Sequence, residues 1–395
     1  MVHPTFTPEL TADQLAARAT ELVPLLRKNA REAEEIRRVP DENVEALVDS
    51  GILRMFRPAR YGGMECDIRT KVAVFSELAR GCASTAWAAT MWVDINWLAS
   101  LFSAEAQDDV FAQNDVRMTA TLNPGGTATR TGGGYRVTGT WRFNSGSSHA
   151  HWCAQPALIQ NDGAAPEPAL FLIPYSDLEV QDDWDVMGLR GSASNTVTGT
   201  DVFVPAHRVL PLTPLLHGEH IQDVNTSPVY RVHPAHFINT SILPTPVGLA
   251  KSARELYMDR LPGSSITYTF YGNKAEAPIT HMQVAEAALK TRAAELMAYQ
   301  VADELDQQSA DGTPFSLEDR ARIRGTTGFV TRLCHEAVEV MRFGSGASSI
   351  KLDVPIQRVA RDMQALSVHA MASPNSTQEL YGRVLCGQEP NSYWI

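Results

Sequence analysis

The sequence holds few of the features that send a chain to a membrane, a nucleic acid or a metal. No stretch approaches the roughly 20 consecutive apolar residues of a membrane-spanning helix. The N-terminus, Met1-Val-His-Pro-Thr5, lacks the basic segment and apolar run of a targeting signal. Lys and Arg are scattered, and a net charge of -11 offers no footprint for nucleic acid or an anionic membrane. The five cysteines, Cys66, Cys82, Cys153, Cys334 and Cys386, are far apart, with no Cys-x-x-Cys pair and no Cys/His ligand spacing. Neither a disulfide framework nor a zinc site is therefore expected, and reduced thiols in a cytoplasmic protein fit better. His149, His151, His233 and His236 lack carboxylate or cysteine partners at ligand spacing, so no metal is expected. Gly132-Gly-Gly-Tyr135 has no βαβ unit around it and reads as a hairpin turn, not a dinucleotide fingerprint.

What the chain does hold is 395 residues, 44% of them apolar, enough for two or three domains. Residues 1–117 read as helices: a capping box at Thr11-Ala-Asp-Gln14, a second start at Pro40-Asp41-Glu42, a third helix through Val72 to Ala79, and a nearly all-apolar one from Ser84 to Leu101. Residues 118–212 change character. Thr119 to Gly126, Gly133 to Gly146, Trp152 to Ile159, Ala169 to Ile173 and Asn195 to Val204 alternate, carry β-branched residues and end in glycine-rich turns, as in a small β-barrel or sandwich. Across 213–395, helical periodicity returns over Thr280 to Gln307, Ser316 to Phe343, Pro355 to about Met371 and Thr377 to Leu385, as in an antiparallel bundle. Leu212 to Pro234 reads as a surface connection. No repeat or low-complexity segment interrupts this order.

Helices, then strands, then a helical bundle is an unusual succession, and local motifs sharpen it. Gly51-Ile-Leu-Arg-Met-Phe-Arg-Pro-Ala-Arg-Tyr-Gly-Gly63, Met187-Gly-Leu-Arg-Gly-Ser-Ala-Ser-Asn-Thr-Val197 with Asp201-Val-Phe-Val-Pro205, and Pro355-Ile-Gln-Arg-Val-Ala-Arg-Asp362 occur in that order. Together they resemble the acyl-CoA dehydrogenase superfamily. The resemblance implies a mainly α fold with a central β domain: N-terminal helical domain, middle β-barrel, C-terminal four-helix bundle. Two departures bear on function. Where many dehydrogenases place Tyr-Glu-Gly-Thr, with the glutamate as base, this chain has His369-Ala370-Met371-Ala372, and alanine cannot take a proton. Where they carry Arg-x-x-Phe-Gly to hold the FAD pyrophosphate, it has Gly272-Asn-Lys-Ala-Glu276.

Both departures, with Ser84-Thr-Ala-Trp87 and Trp141-x-Phe143-x-Ser145-Gly146, resemble the flavin-dependent monooxygenases of this fold, the oxygenase components of two-component phenol, p-hydroxyphenylacetate and indole hydroxylases. That branch implies a homotetramer supplied with reduced flavin by a separate NAD(P)H-dependent reductase. The resemblance implies FADH2 ahead of FMNH2 as that flavin, and O2 as the co-substrate. A C4a-hydroperoxyflavin would pass oxygen to an aromatic acceptor. Amino-sugar N-oxygenases share this chemistry. A dehydrogenase with a relocated base would need a glutamate such as Glu255, Glu286 or Glu295, and a flavin-free scaffold would need neither.

Within this frame the resemblance gives Ser145 the flavin N5 edge and His369 the catalytic and substrate-facing position, although a strand-end serine and a helix-end histidine also serve as ordinary caps. Thr121 and Asn123 sit on the strand and turn that approach flavin, or form a simple Asn-Pro-Gly turn. Trp141 and Phe143 flank the ring or pack in a strand core. Ser147, Ser192 and Ser194 are further flavin contacts or strand-turn residues. Trp87 and Trp92, with Trp97, line the substrate side or belong to a helix core. Arg361 and Asp362 read as an ion pair with each other.

Overall fold

The computed structural model describes residues 10–161, 163, 165–219, 225–392 and 394–395; Met1 to Thr5 and part of the Leu212 to Pro234 connection lie outside them. Five helices come first: α1 (Ala12–Ile36), α2 (Asp41–Asp49), α3 (Ile68–Gly81), α4 (Ala83–Ala99) and α5 (Ala104–Phe111). Thr11 caps α1 as the sequence suggests, its hydroxyl accepting from Gln14 N while the Gln14 side chain accepts from Thr11 N. Asp67 caps α3 through Thr70 N. The apolar composition of α4 buries it on all sides, with Met91 alone only partly buried.

Eight strands follow: β1 (Met118–Ala120), β2 (Gly126–Thr131), β3 (Gly134–Asn144), β4 (Trp152–Ile159), β5 (Glu167–Pro174), β6 (Glu179–Val180), β7 (Asn195–Pro205) and β8 (Val209–Pro211). Gly132 and Gly133 form the β2–β3 hairpin turn, Gly133 at a φ of +79°. The hydrogen-bonded order is β6-β7-β3-β2-β4-β5-β8, with β1 beside β4. The strands alone suggest a barrel or a sandwich; the middle barrel that the resemblance implies is not closed by hydrogen bonds among the described residues. The end strands β6 and β8 have two and three residues, and each pairs with one neighbour. The sheet still covers a core of its own, built from Ala128, Val137, Trp141, Phe171, Ile173 and Val204.

Among the described residues seven α-helices follow: α6 (Leu212–Leu216), α7 (Pro234–Thr240), α8 (Pro244–Arg260), α9 (Pro278–Asp311), α10 (Leu317–Gly344), α11 (Ile356–Ser367) and α12 (Pro374–Leu385). α10 packs against α8, α9, α11 and α12. α8 is not among the helices expected from periodicity, and it begins with Pro244 and carries Pro246. Both lie in its first turn, where no backbone N–H is needed. The helix expected from Pro355 to Met371 stops at Ser367, and residues 368–373 form a tight turn before α12.

Arg361 and Asp362 do not pair with each other, because successive helical residues point about 100° apart. Arg361 pairs with Glu34 of α1 and donates to Met187 O at 2.6 Å. Asp362 is buried and accepts from Leu189 N at 2.6 Å, so α11 grips the loop before β7 with both residues. Burial pushes the Asp362 carboxyl up to about 6. Gly188 permits this close approach, since a Cβ there would stand 2.2 Å from Arg361 O.

Candidate functional site

The site is built where the end of β3, the loop before β7, α4 and the turn after α11 meet. β3 loses its register against β7 between Trp141 and Asn144, and Phe143 takes a φ of +65°. This bulge breaks the alternation that would have put Trp141 and Phe143 on one face. Trp141 turns into the sheet core, its indole donating to Pro156 O at 2.9 Å, which leaves no face to flank a cofactor. Phe143 turns outward, 68% exposed, with its ring edge-on to Trp184 at 6.0 Å.

Behind Phe143, Ser145, Ser194 and Ser192 form a buried chain of hydroxyls, with Oγ–Oγ distances of 2.7 and 2.8 Å. Trp87 of α4 donates its indole N–H to Ser145 Oγ at 3.0 Å. The chain can run either way. In one direction Ser145 retains a lone pair for an incoming N–H; in the other it retains a hydroxyl hydrogen. The backbones of the two loops are pinned together, Gly146 N donating to Ser192 O and Ser147 N to Ala193 O. Ser147 spends its hydroxyl on this framework, donating to Ala193 O and accepting from Asn195. Trp92, expected on the substrate side, is buried, with its N–H on Gly146 O at 3.1 Å; it holds the Ser145-Gly146 turn in place. Trp97 is core, stacked on Phe237 with centroids 3.9 Å apart.

Thr121 donates to Gln155 at 3.0 Å, and Gln155 in turn holds Asn144 at 2.5 Å, so its hydroxyl belongs to a network one residue before Ser145. Asn123 is exposed on the β1–β2 turn, apart from that network.

His369 closes the opposite side. Its ring stands edge-on to Trp87 with centroids 5.3 Å apart, so one indole touches both the hydroxyl chain and the imidazole. Nδ1 accepts from Met371 N at 3.2 Å, which assigns the hydrogen of the neutral ring to Nε2. The residue is exposed at the surface of its turn, although protein crowds the ring closely. Crowding first, and then the Arg324 guanidinium, push its pKa down to about 4, so the ring is neutral at pH 7.

Sequence reasoning missed Arg324. It is buried in α10 and donates to Met371 O at 3.2 Å, Ala370 O at 3.3 Å and Asn239 at 2.7 Å, holding the turn that presents His369. Burial lowers its pKa to about 10, leaving it charged at pH 7. An arginine inside a periodic helix looks like any other in sequence.

The arrangement fits a flavin: an exposed aromatic ring beside a hydroxyl of adjustable polarity, faced by an imidazole N–H. It does not fit a dehydrogenase. Ala370 stands where the base would be, and the other glutamates are engaged: Glu255 with Arg27 and Arg80, Glu286 with Lys290, Glu295 with Lys251. An open groove of about 630 Å³ between α1 and α3 lies away from these residues, its Arg27 paired with Glu255 and its Arg80 with Glu77 and Glu255. No group of three or more potential metal ligands occurs among the described residues, and none of the helices described is long and apolar enough to cross a membrane.

Comparison with known proteins gives the family. Residues 12–112 match the acyl-CoA dehydrogenase N-terminal domain, and residues 241–374 the acyl-CoA dehydrogenase C-terminal domain. The chain is 34% identical over 374 residues to the flavin-dependent monooxygenase oxygenase subunit HsaA of Rhodococcus jostii, covering 92% of this chain and 96% of that one. It is 31% identical over 396 residues to the oxygenase component of the FADH2-dependent resorcinol hydroxylase of a Rhizobium species, covering 96% of each. Among solved structures, XiaF from a Streptomyces species, in complex with FADH2 and glycerol, superposes with a TM-score of 0.92 at 30% identity, covering 96% of this chain and 97% of that one. The chain therefore belongs to the flavin-dependent monooxygenases, as an oxygenase component built on the acyl-CoA dehydrogenase fold.

Proposed function

We propose that this chain hydroxylates a small aromatic acceptor, a phenol or an indole-type ring, using FADH2 made by a separate NAD(P)H-dependent reductase. The observation that carries the reading is Trp87, whose indole touches both the Ser145 hydroxyl chain and His369. Bound reduced flavin and O2 would supply the oxygen atom to be inserted. Ser145 would hold the flavin N5 hydrogen, with Ser192 and Ser194 tuning the direction of its hydroxyl. Phe143 would cover the ring system, and Asn123 on its exposed turn would meet the distal part of the cofactor. His369, carrying its hydrogen on Nε2, would donate to the oxygen left behind when the other is transferred. This tautomer argues against His369 as the base for a substrate hydroxyl. Trp87 would form the apolar wall for the acceptor ring. FADH2 is favoured over FMNH2 by the relatives that carry or name it. The protein would act as a cytoplasmic homotetramer; Tyr268, Phe270, Phe343, Ile350 and Leu352 are exposed apolar residues that such an assembly would cover.

Anaerobic titration with FADH2 and FMNH2, followed by oxygen pulses over phenols, indoles and amino sugars, tests the reading. Hydroxylated aromatics with FADH2 are the expected outcome. Turnover confined to amino sugars, or reduction of bound flavin by an acyl-CoA, would sink it.

A further inference from the structure

The face of α4 that carries Trp87 continues beyond it. Met91, four residues on, is the one residue of this helix that keeps partial exposure, and Asp94 follows three residues later. Residues at these spacings share a helix face, so buried Trp87, partly exposed Met91 and buried Asp94 lie in line over about 10 Å at 1.5 Å per residue. Asp94 is also the one ionisable residue of α4.

At that far end lies a buried ion pair. Lys71 of α3 is fully buried and meets Asp94 Oδ2 at 2.7 Å. Ser241 donates to the same Oδ2, and Lys71 also reaches Thr240 Oγ1 at 3.1 Å and lies 4.3 Å from the Phe237 ring centroid. Asp94 Oδ1 is buried without a hydrogen-bond partner. An orphan carboxylate oxygen is costly in a core and calls for a donor. The same α7 segment returns to the site, because Asn239 binds Arg324, which holds the His369 turn.

We infer that Asp94, held by Lys71 and Ser241, is a specificity-determining residue that accepts a hydrogen bond from a neutral hydroxyl on the acceptor's side chain, about 10 Å along α4 from Trp87. This rests on the proposed aromatic hydroxylation. Lys71 already balances the carboxylate, so a neutral donor suits Oδ1 better than a second cation. The substrate class is a phenol or indole bearing a hydroxyl-terminated chain of two to four atoms.

The test compares 4-propylphenol with 4-(3-hydroxypropyl)phenol and 4-(3-aminopropyl)phenol by calorimetry, anaerobically with FADH2 and again without flavin. Wild-type protein should bind the hydroxyl compound about tenfold more tightly than the alkyl one. Lys71→Met/Asp94→Leu, which removes both charges together, should lose that preference. Met91→Trp leaves the pair intact but fills the space before it. It should weaken the hydroxypropyl compound at least tenfold while changing phenol itself by no more than about threefold. Equal affinities in wild type, an unchanged preference in the double variant, equal losses in Met91→Trp, or a preference for the amine would each overturn the inference. Failure of FADH2 to bind would instead defeat the proposed function, and the flavin-free titrations would still decide the role of Asp94.

Discussion

The neutral state of His369 is where the proposed mechanism is most exposed to test. His369→Ala should lower hydroxylation about 100-fold, with more of the consumed oxygen appearing as hydrogen peroxide, while FADH2 binding stays within about threefold. Because the folded-state pKa is depressed to about 4, the Nδ1 bond from Met371 N that orients the ring should survive from pH 8 to about 5, and hydroxylation should fall only as protonation of Nδ1 near pH 4 breaks it. The same shift has a stability consequence. Between about pH 6.5 and 4 the unfolded chain binds a proton that the folded chain refuses, so stability from this group is full above 6.5 and declines as pH falls. Asp362 runs the other way. Its folded pKa is raised to about 6, so its contribution is full below the ordinary carboxylate range and is lost as pH rises through 6. Asp362→Asn, which keeps an acceptor for Leu189 N, should therefore gain stability relative to wild type between pH 5 and pH 8, by melting temperature. A difference independent of pH would show that the carboxyl is not perturbed.

At the scale of elements, the site depends on two turns that hold functional side chains from outside. Gly146 has a φ of +83°, and a Cβ would stand 2.2 Å from Trp92 Nε1. Gly146→Ala should cost about 2 kcal/mol or more in denaturant unfolding and weaken FADH2 binding, because Trp92 can no longer hold the turn that carries Ser145. On the other side, Arg324→Met removes the donors to Ala370 O and Met371 O. Hydroxylation should fall, and its acid limb should also move to higher pH, because the guanidinium that helps depress the His369 pKa is gone. A lower rate with an unmoved acid limb would make Arg324 structural only. These turns explain an error of inference as well. Alternation along β3 puts Trp141 and Phe143 together in sequence, while a bulge sends one into the core and the other to the surface.

For the whole molecule, the proposed division of labour predicts that chemically reduced FAD supports hydroxylation with no reductase protein present, read as product per FADH2 supplied. An absolute need for reductase contact would contradict delivery by free flavin. Sedimentation should show a tetramer, which Phe343→Asp and Leu352→Asp should weaken if those exposed side chains are covered by another copy. Much of the fold was legible in the sequence because it rests on local physics: the capping box at Thr11, the apolar α4, the hairpin at Gly132-Gly133, and the motif Pro355 to Asp362 that marks the superfamily. The serines and His369 were legible as candidates for the same reason, since their chemistry and motif register are written in one dimension. Left to tertiary structure were the partners those residues would keep. The hydrogen-bonded path of the sheet runs open from β6 to β8, Arg361 and Asp362 turned to different partners around a helix, and Lys71 found Asp94 across two helices. A side chain's type follows from its codon; which atoms it faces follows from how elements far apart in the chain pack, and that packing sets whether a histidine is neutral or a carboxylate oxygen is left without a hydrogen-bond partner.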